Sequence, residues 1–240
     1  MDTGDPTSDA NVAVNAASAM NQSRQGLAKA LLGVFAAVGV LNVIANALGN
    51  ELMATTTKPL LLPLLAAFSI AAAGISQPAM KLLVAAQFFA WLGDLALMFT
   101  TPAIFLAGMG AFLVMQIGYI VGFFRLGARD GFARRRWVLF AFPAFWVVAN
   151  AALLTSLGPL IIPIAIYSAA LVTMAMTSVA IGTRAGIGGT LFMISDLMIG
   201  VTIAFGTFPG SPPLIMATYL VGQGLIATAW INRVRRRVAD

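Results

Sequence analysis

The 240-residue chain contains no cysteine and no histidine. The lack of cysteine excludes a disulfide framework, a thiolate nucleophile and a thiolate metal site. The lack of histidine removes the commonest general base and the commonest zinc ligand. Charged residues make up only 9% of the chain, and eight of them are acidic. Chemistry that needs a proton donor or acceptor would therefore depend on these few carboxylates.

Apolar residues, in contrast, make up 60% of the chain, and the mean hydropathy is +0.93. Apolar segments of about twenty residues recur along it, as expected for membrane-spanning helices. We place eight of them, at residues 28–48, 59–75, 79–99, 102–124, 137–156, 158–181, 187–206 and 212–231. Proline marks several of the predicted helix starts: Pro59, Pro102, Pro159 and Pro212. The fold class predicted is all-α, a polytopic transmembrane helical bundle with eight spans.

The polar ends complete this domain organisation. Residues 1–23 are rich in small and polar residues and are predicted to form a disordered tail. Residues 24–232 form the transmembrane domain, and 233–240 form a basic C-terminal tail.

The basic residues predict the orientation. With eight spans, every lysine and arginine except Lys58 falls on the side that carries both termini. The positive-inside rule then makes both termini cytoplasmic. The net charge of +6 does not indicate nucleic acid, because the arginines flank the apolar segments and act as topology signals at an anionic membrane face.

Two carboxylates lie inside apolar segments: Asp94 in WLGDLALMF and Asp196 in LFMISDLMIG. The other six acidic residues fall in tails or short connections. An ionisable group at membrane depth is costly, which makes both aspartates candidates for function. If they face each other, one would hold a proton while the other acts as a base, as in carboxylate dyads. The alternative is two separate aspartates, each tied to a backbone or lysine partner.

Other polar side chains also fall within the apolar segments. Single asparagine and glutamine residues in membrane helices commonly make interhelical contacts. The embedded polar residues noted here are Asn42, Asn46, Gln87, Gln116, Tyr119, Tyr167, Tyr219 and Gln223.

Six runs, in order from about residue 55 to 227, resemble the YhhN/TMEM86 family of membrane proteins. They are TTTKPLLLPLL, WLGDLALMF, GAFLVMQIGYIVGF, PIAIYSAALVTMAM, GGTLFMISDLMIG and ATYLVGQGLIA. The best-known members are lysoplasmalogenases, which hydrolyse the vinyl ether bond of a lysoplasmalogen to a fatty aldehyde and a glycerophospho-base. The family's motif positions fall on Lys58, Asp94, Tyr119, Tyr167, Asp196, Tyr219 and Gln223. The chain departs from the family at Gln116, where a histidine is common; glutamine cannot carry a proton between steps.

The resemblance implies a membrane hydrolase in which Asp94 and Asp196 act as the acid–base pair, in either order. Gln116, Tyr119, Tyr167 and Gln223 would position water and the glycerol oxygens, and Tyr219 would contact substrate. Lys58 would meet the substrate phosphate or serve as an ordinary interfacial lysine. We expect an ether lysophospholipid as substrate, no cofactor or metal, and a bacterial plasma membrane as the location.

A different class of function uses the same two aspartates. In a proton-coupled or small-molecule transporter, Asp94 and Asp196 would relay protons. Inverted repeats and broken helices would favour transport, and neither is clear in the sequence. A purely structural role would leave two costly aspartates unexplained.

Overall fold

The computed structural model describes residues 6–99, 101–153 and 158–239. Within these residues all regular structure is helical, which confirms the predicted fold class. Nine α-helices follow one another: α1 (Pro6–Ala47), α2 (Glu51–Ala73), α3 (Pro78–Ala96), α4 (Pro102–Arg125), α5 (Ala128–Arg134), α6 (Val138–Leu153), α7 (Ile161–Ile181), α8 (Thr183–Phe205) and α9 (Ser211–Ala239). A short 3₁₀ helix, Gly158–Leu160, precedes α7.

Seven helices in the described part of the chain are long and apolar enough to cross a membrane: α1 from Ala19 onward, α2, α3, α4, α7, α8 and α9. The short α5 and the 16-residue α6 are bent by 95° against each other and give an eighth span if they are counted together. The predicted span 137–156 corresponds to α6, and its residues 154–156 lie outside the described part. The polytopic bundle is thus confirmed with seven or eight spans, and the cytoplasmic termini stay a prediction.

The two ends of the chain are more helical than the composition predicts. Helix α1 begins at Pro6, inside the segment expected to be a disordered tail, and residues 1–5 lie outside the described part. Alanine, the strongest helix former, recurs through residues 10–19 and favours this extension. Helix α9 likewise continues through the basic residues of the predicted tail 233–240 as far as Ala239.

Helix α2 begins eight residues before the start predicted at Pro59. Asn50 caps it, because its side-chain oxygen accepts a hydrogen bond from the backbone nitrogen of Met53 at 3.0 Å. Pro59 therefore lies inside the helix, and the predicted start is wrong. Pro63, one turn later, has no N–H and leaves the Pro59 carbonyl without its helical donor. The Trp91 indole of α3 donates to that carbonyl at 3.0 Å, which ties α2 to α3.

Helix α9 occupies the centre of the bundle. It packs most extensively against α8 and also contacts α1, α2 and α3. The pair α8–α9 approaches closely at Gly188 and Gly222: a Cβ on either glycine would lie 2.8 Å from the carbonyl oxygen of the other. The pair α3–α4 is close at Gly93, where a Cβ would lie 2.6 Å from the Phe112 ring. Small residues at these points let helices approach closely and set the positions of Asp94 and Asp196.

Candidate active site

Asp94 lies near the end of α3 and is only 4% exposed. The Lys58 ammonium of α2 is 3.8 Å from its Oδ1. The Tyr219 hydroxyl of α9 donates a hydrogen bond of 2.7 Å to Oδ2. Three helices thus converge on one buried carboxylate. A cation and a hydrogen-bond donor both stabilise its negative charge.

This arrangement agrees, for Asp94, with the alternative in which an aspartate is tied to a lysine partner, and that lysine is Lys58. Because α2 begins at Glu51, Lys58 lies two turns into the helix, and its side chain is 20% exposed. It was expected to meet a phosphate or to lie at the interface. The ion pair with Asp94 turns its ammonium toward the interior of the bundle instead.

Asp196, on α8, has a different environment. The Tyr167 hydroxyl of α7 donates a hydrogen bond to its Oδ2. No lysine or arginine among the described residues forms an ion pair with it. The neighbouring Ser195 donates to the Ile215 carbonyl of α9 at 3.0 Å, which fixes this part of α8 against the central helix. Asp196 is therefore a half-buried carboxyl group with one neutral donor and no cation.

Asp94 and Asp196 are close enough to interact electrostatically, and aromatic rings lie beside both of them. Phe112 packs edge-on against Tyr219, the hydrogen-bond donor to Asp94, with ring centroids 6.3 Å apart. Phe192 completes the group at 5.6 Å from Tyr219. Phe112 also borders the space into which Asp196 faces. The two carboxyl groups thus belong to one region of the bundle with different immediate surroundings.

That space is a partly open cavity of about 90 Å³ between α4, α6, α7 and α8, here called the apolar cavity. Its walls are mainly apolar side chains such as Phe105, Met109, Phe145, Leu171 and Ile203. The volume has room for several water molecules. Helices α4 and α6 make little direct contact with each other, so the cavity wall between them is weakly packed.

Asp196 and Tyr167 line the apolar cavity, whereas Asp94 and Lys58 do not. The two aspartates therefore do not both line the apolar cavity. Asp94 is connected to the cavity wall through Tyr219, whose hydroxyl donates to Asp94 and whose ring packs against Phe112 of that wall.

Three cavity residues were not singled out in the sequence: Trp146 and Asn150 on α6, and Ser168 on α7. The Trp146 indole donates to the Ser168 hydroxyl at 3.0 Å. The Ser168 hydroxyl lies 3.2 Å from the Asn150 side-chain oxygen, and the Asn150 amide donates to the Trp146 carbonyl at 2.9 Å. We call these three residues the α6–α7 polar cluster. Two sequence features could have indicated this cluster: the single asparagine in VVANAALL and the serine directly after Tyr167.

Three predicted site residues lie away from the apolar cavity. The Tyr119 hydroxyl donates to Gln223 Oε1 at 2.7 Å, joining α4 to α9, and Gln223 Nε2 lies 3.5 Å from the Met115 sulfur. Gln116 is fully buried, and neither polar atom of its side chain has a hydrogen-bond partner. None of these side chains lines the cavity. Their expected role in positioning water and glycerol oxygens therefore has no support from their location.

The remaining embedded amides make helix–helix or local contacts, as expected for such residues. Gln87 of α3 donates to Ser69 of α2 at 3.0 Å. Asn42 of α1 donates to Thr57 of α2 at 2.8 Å, and Asn46 donates to the Asn42 carbonyl at 2.8 Å. In the described part of the chain, no group of three or more acidic residues is arranged to hold a metal ion.

The apolar helices define an integral membrane protein, and the buried Asp94 and half-buried Asp196 give it a polar site inside the helical bundle. The sequence profile of the YhhN family matches residues 53–230, so the chain belongs to the YhhN family. The family resemblance drawn from the motifs is thereby confirmed. No curated protein and no solved structure matches the chain.

Proposed function

We propose that this YhhN-family protein is a membrane hydrolase that cleaves the vinyl ether bond of a lysoplasmalogen. The products would be a fatty aldehyde and a glycerophospho-base. The observation that carries the proposal is the placement of Asp196, a carboxyl group held by Tyr167 in the wall of an apolar cavity and close to the charged Asp94 site.

Asp196 is our candidate for the acid. It has no ion-pair partner, and a carboxyl group in mainly apolar surroundings without a cation is least costly in its protonated form. Asp94 is our candidate for the permanent carboxylate, because Lys58 and the Tyr219 hydroxyl both stabilise its negative charge. The difference between the two environments is the feature expected of an acid and a charged partner in one site.

The reaction would begin with transfer of the Asp196 proton to the vinyl carbon that is not bonded to oxygen. This leaves an oxocarbenium ion, whose positive charge the Asp196 and Asp94 carboxylates stabilise. Water then adds to the carbon bonded to oxygen and returns a proton to Asp196. In the resulting hemiacetal the hydroxyl loses its proton, the carbon–oxygen bond to glycerol breaks, and the glycerol oxygen gains a proton. The net change is consumption of one water molecule.

The cavity supplies the environment that this chemistry needs. Its apolar walls limit access of bulk water beside Asp196 and are chemically suited to contact with the apolar part of a lipid. The weakly packed side between α4 and α6 is the route by which we expect a lipid to enter from the bilayer.

The test is incubation of the purified protein with a lysoplasmalogen while free aldehyde and the glycerophospho-base are measured. We expect both products in equal amounts and none from the saturated ether analogue, which has no double bond to protonate. Asp130→Asn is a matched control, since Asp130 lies on the short α5, outside the cavity. If wild type releases no aldehyde from vinyl ether lysolipids with several head groups, the proposal is wrong. Proton transport through the same aspartates would then be measured in vesicles.

A further inference from the structure

The α6–α7 polar cluster is the one group of uncharged hydrogen-bonding side chains, apart from Tyr167, in the described wall of the apolar cavity. We propose that it binds the free hydroxyl group on the glycerol of a lysolipid, and that it selects lysolipids over lipids in which this hydroxyl is substituted. The inference rests on the proposed function for the identity of the ligand as a lipid, and it adds a specificity site to it.

The cluster has unused hydrogen-bonding capacity. The Asn150 amide has two N–H groups, and one of them is engaged by the Trp146 carbonyl. The Ser168 hydroxyl accepts from the Trp146 indole. The one proton of this hydroxyl is shared between the Asn150 side-chain oxygen at 3.2 Å and the Ala165 carbonyl at 3.1 Å. The side-chain oxygens of Asn150 and Ser168 therefore each retain a lone pair. The wall thus offers a donor and acceptors on neighbouring atoms. A hydroxyl group both donates and accepts, whereas an ether or ester oxygen only accepts.

The geometry also fixes the cluster in place. Asn150 donates to the carbonyl four residues earlier on its own helix, which holds the amide in one orientation. The Trp146 indole holds Ser168 from the other side. A preorganised group of this kind discriminates strongly, because a ligand without the hydroxyl leaves buried polar atoms unpaired.

The charge of the cavity favours a neutral ligand group. Asp196 is the one ionisable carboxyl group among the described residues that line it, and neither lysine nor arginine does so. A phosphate is therefore not the group that this wall binds. Ser168 directly follows Tyr167, which holds Asp196, so a hydroxyl bound at the cluster would lie near the acid. In a lysolipid the free hydroxyl and the ether oxygen are on adjacent glycerol carbons, which suits this spacing.

The experiment measures the affinity of the purified full-length chain for two saturated lysolipids with the same chain and head group. One carries the free glycerol hydroxyl, and in the other that oxygen is methylated. We expect wild type to bind the hydroxyl ligand about 10- to 100-fold more tightly. Ser168→Ala and Asn150→Leu should bring the ratio of the two affinities close to one, because affinity is lost for the hydroxyl ligand alone.

Two further variants control for a structural effect. Ser178→Ala makes the same substitution on the same helix, at a buried serine that donates to its own helix and does not line the cavity; it should retain the full preference. Ser168→Thr keeps the hydroxyl and should retain most of it. Equal binding of both ligands by wild type would overturn the inference. Substitutions at Ser168 and Asn150 that lower the affinity for both ligands by the same factor would also overturn it, because that result is expected of an interhelical contact alone.

Neither ligand contains a vinyl ether, so this measurement does not depend on cleavage. A hydroxyl preference that requires Ser168 and Asn150 supports the inference even if no lysoplasmalogen releases aldehyde. Aldehyde release by a protein that binds both ligands equally would support the hydrolase and overturn the specificity site.

Discussion

Replacing Lys58 by methionine is the sharpest test of the arrangement around Asp94. Methionine is similar in length and apolar, so it retains most of the packing of the lysine stem and removes its charge. The Asp94 carboxylate would keep the Tyr219 hydroxyl as its donor but would have no cation. If Lys58 instead serves the substrate phosphate, the substitution would raise KM and leave the stability of the protein unchanged.

The magnitude follows from the distance and the burial. Two unit charges 3.8 Å apart attract by about 4 kcal/mol at an effective dielectric constant of about 20. The carboxylate side chain is 5% exposed and the lysine side chain 20%, so screening by solvent is limited. Removing one partner of a buried pair typically costs about 3–5 kcal/mol, because the other charge is left uncompensated. We therefore expect Lys58→Met to lower the free energy of unfolding by about 3 kcal/mol.

The assay is a double-mutant cycle in detergent, with unfolding of wild type, Lys58→Met, Asp94→Asn and the double variant followed by helical signal. The double variant should be more stable than Lys58→Met, because no unpaired charge remains. A Lys58→Met protein as stable as wild type would refute the reasoning. Strictly additive effects of the two substitutions would refute it equally.

Three other predictions concern catalysis, topology and packing. Asp94→Asn and Asp196→Asn should each lower aldehyde release from a lysoplasmalogen by about 10²–10⁴-fold, whereas Gln116→Ala should cost less because an amide side chain cannot transfer a proton; wild-type rates in both aspartate variants would contradict the acid–base assignment. A cysteine at exposed Leu48, between α1 and α2, should react with an impermeant thiol reagent added outside the cell; reaction from the cytoplasmic side alone would contradict the orientation. Gly222→Ala should lower the unfolding midpoint, at a cost of about 1–3 kcal/mol, since its methyl group would lie 2.8 Å from the Gly188 carbonyl; unchanged stability would show that α8 and α9 can separate freely.

The sequence located the two aspartates inside the helical bundle but not the partners of their side chains. A carboxylate in an apolar segment is conspicuous because placing its charge at membrane depth costs free energy. Asp94 and Asp196 could therefore be chosen as candidates from the sequence alone. Helical periodicity gives the face on which a side chain lies and its depth. It does not give the neighbour that this face meets. The pairing of Asp94 with Tyr219, 125 residues away, depends on how α3 rotates against α9.

Local signals misplaced Lys58 for a different reason. Pro59 is typical of a helix start, and that interpretation put Lys58 at the surface. The cap at Asn50 is a competing start signal, and Pro63 is tolerated because Trp91 uses the carbonyl that it leaves free. Compensation of this kind involves a residue from another helix and is invisible in the local sequence.

Asn150 was missed because a lone asparagine in a membrane helix is usually an interhelical contact. It makes such a contact with Ser168, but the same pair also borders a cavity. Whether a polar contact is accessible depends on how loosely α6 packs against its neighbours, and no sequence pattern reports that.

The central place of α9 has a consequence for biosynthesis. The helices that α9 contacts, α1, α2, α3, α4 and α8, all precede it in the chain, so ribosomes complete them first. Tyr219 emerges 125 residues after Asp94, on the order of ten seconds later at typical rates of translation. During that interval Lys58 is the sole partner from this site that is already available to the new carboxylate. A nascent chain that lacks the lysine would therefore carry an uncompensated carboxylate inside the membrane until α9 has been made.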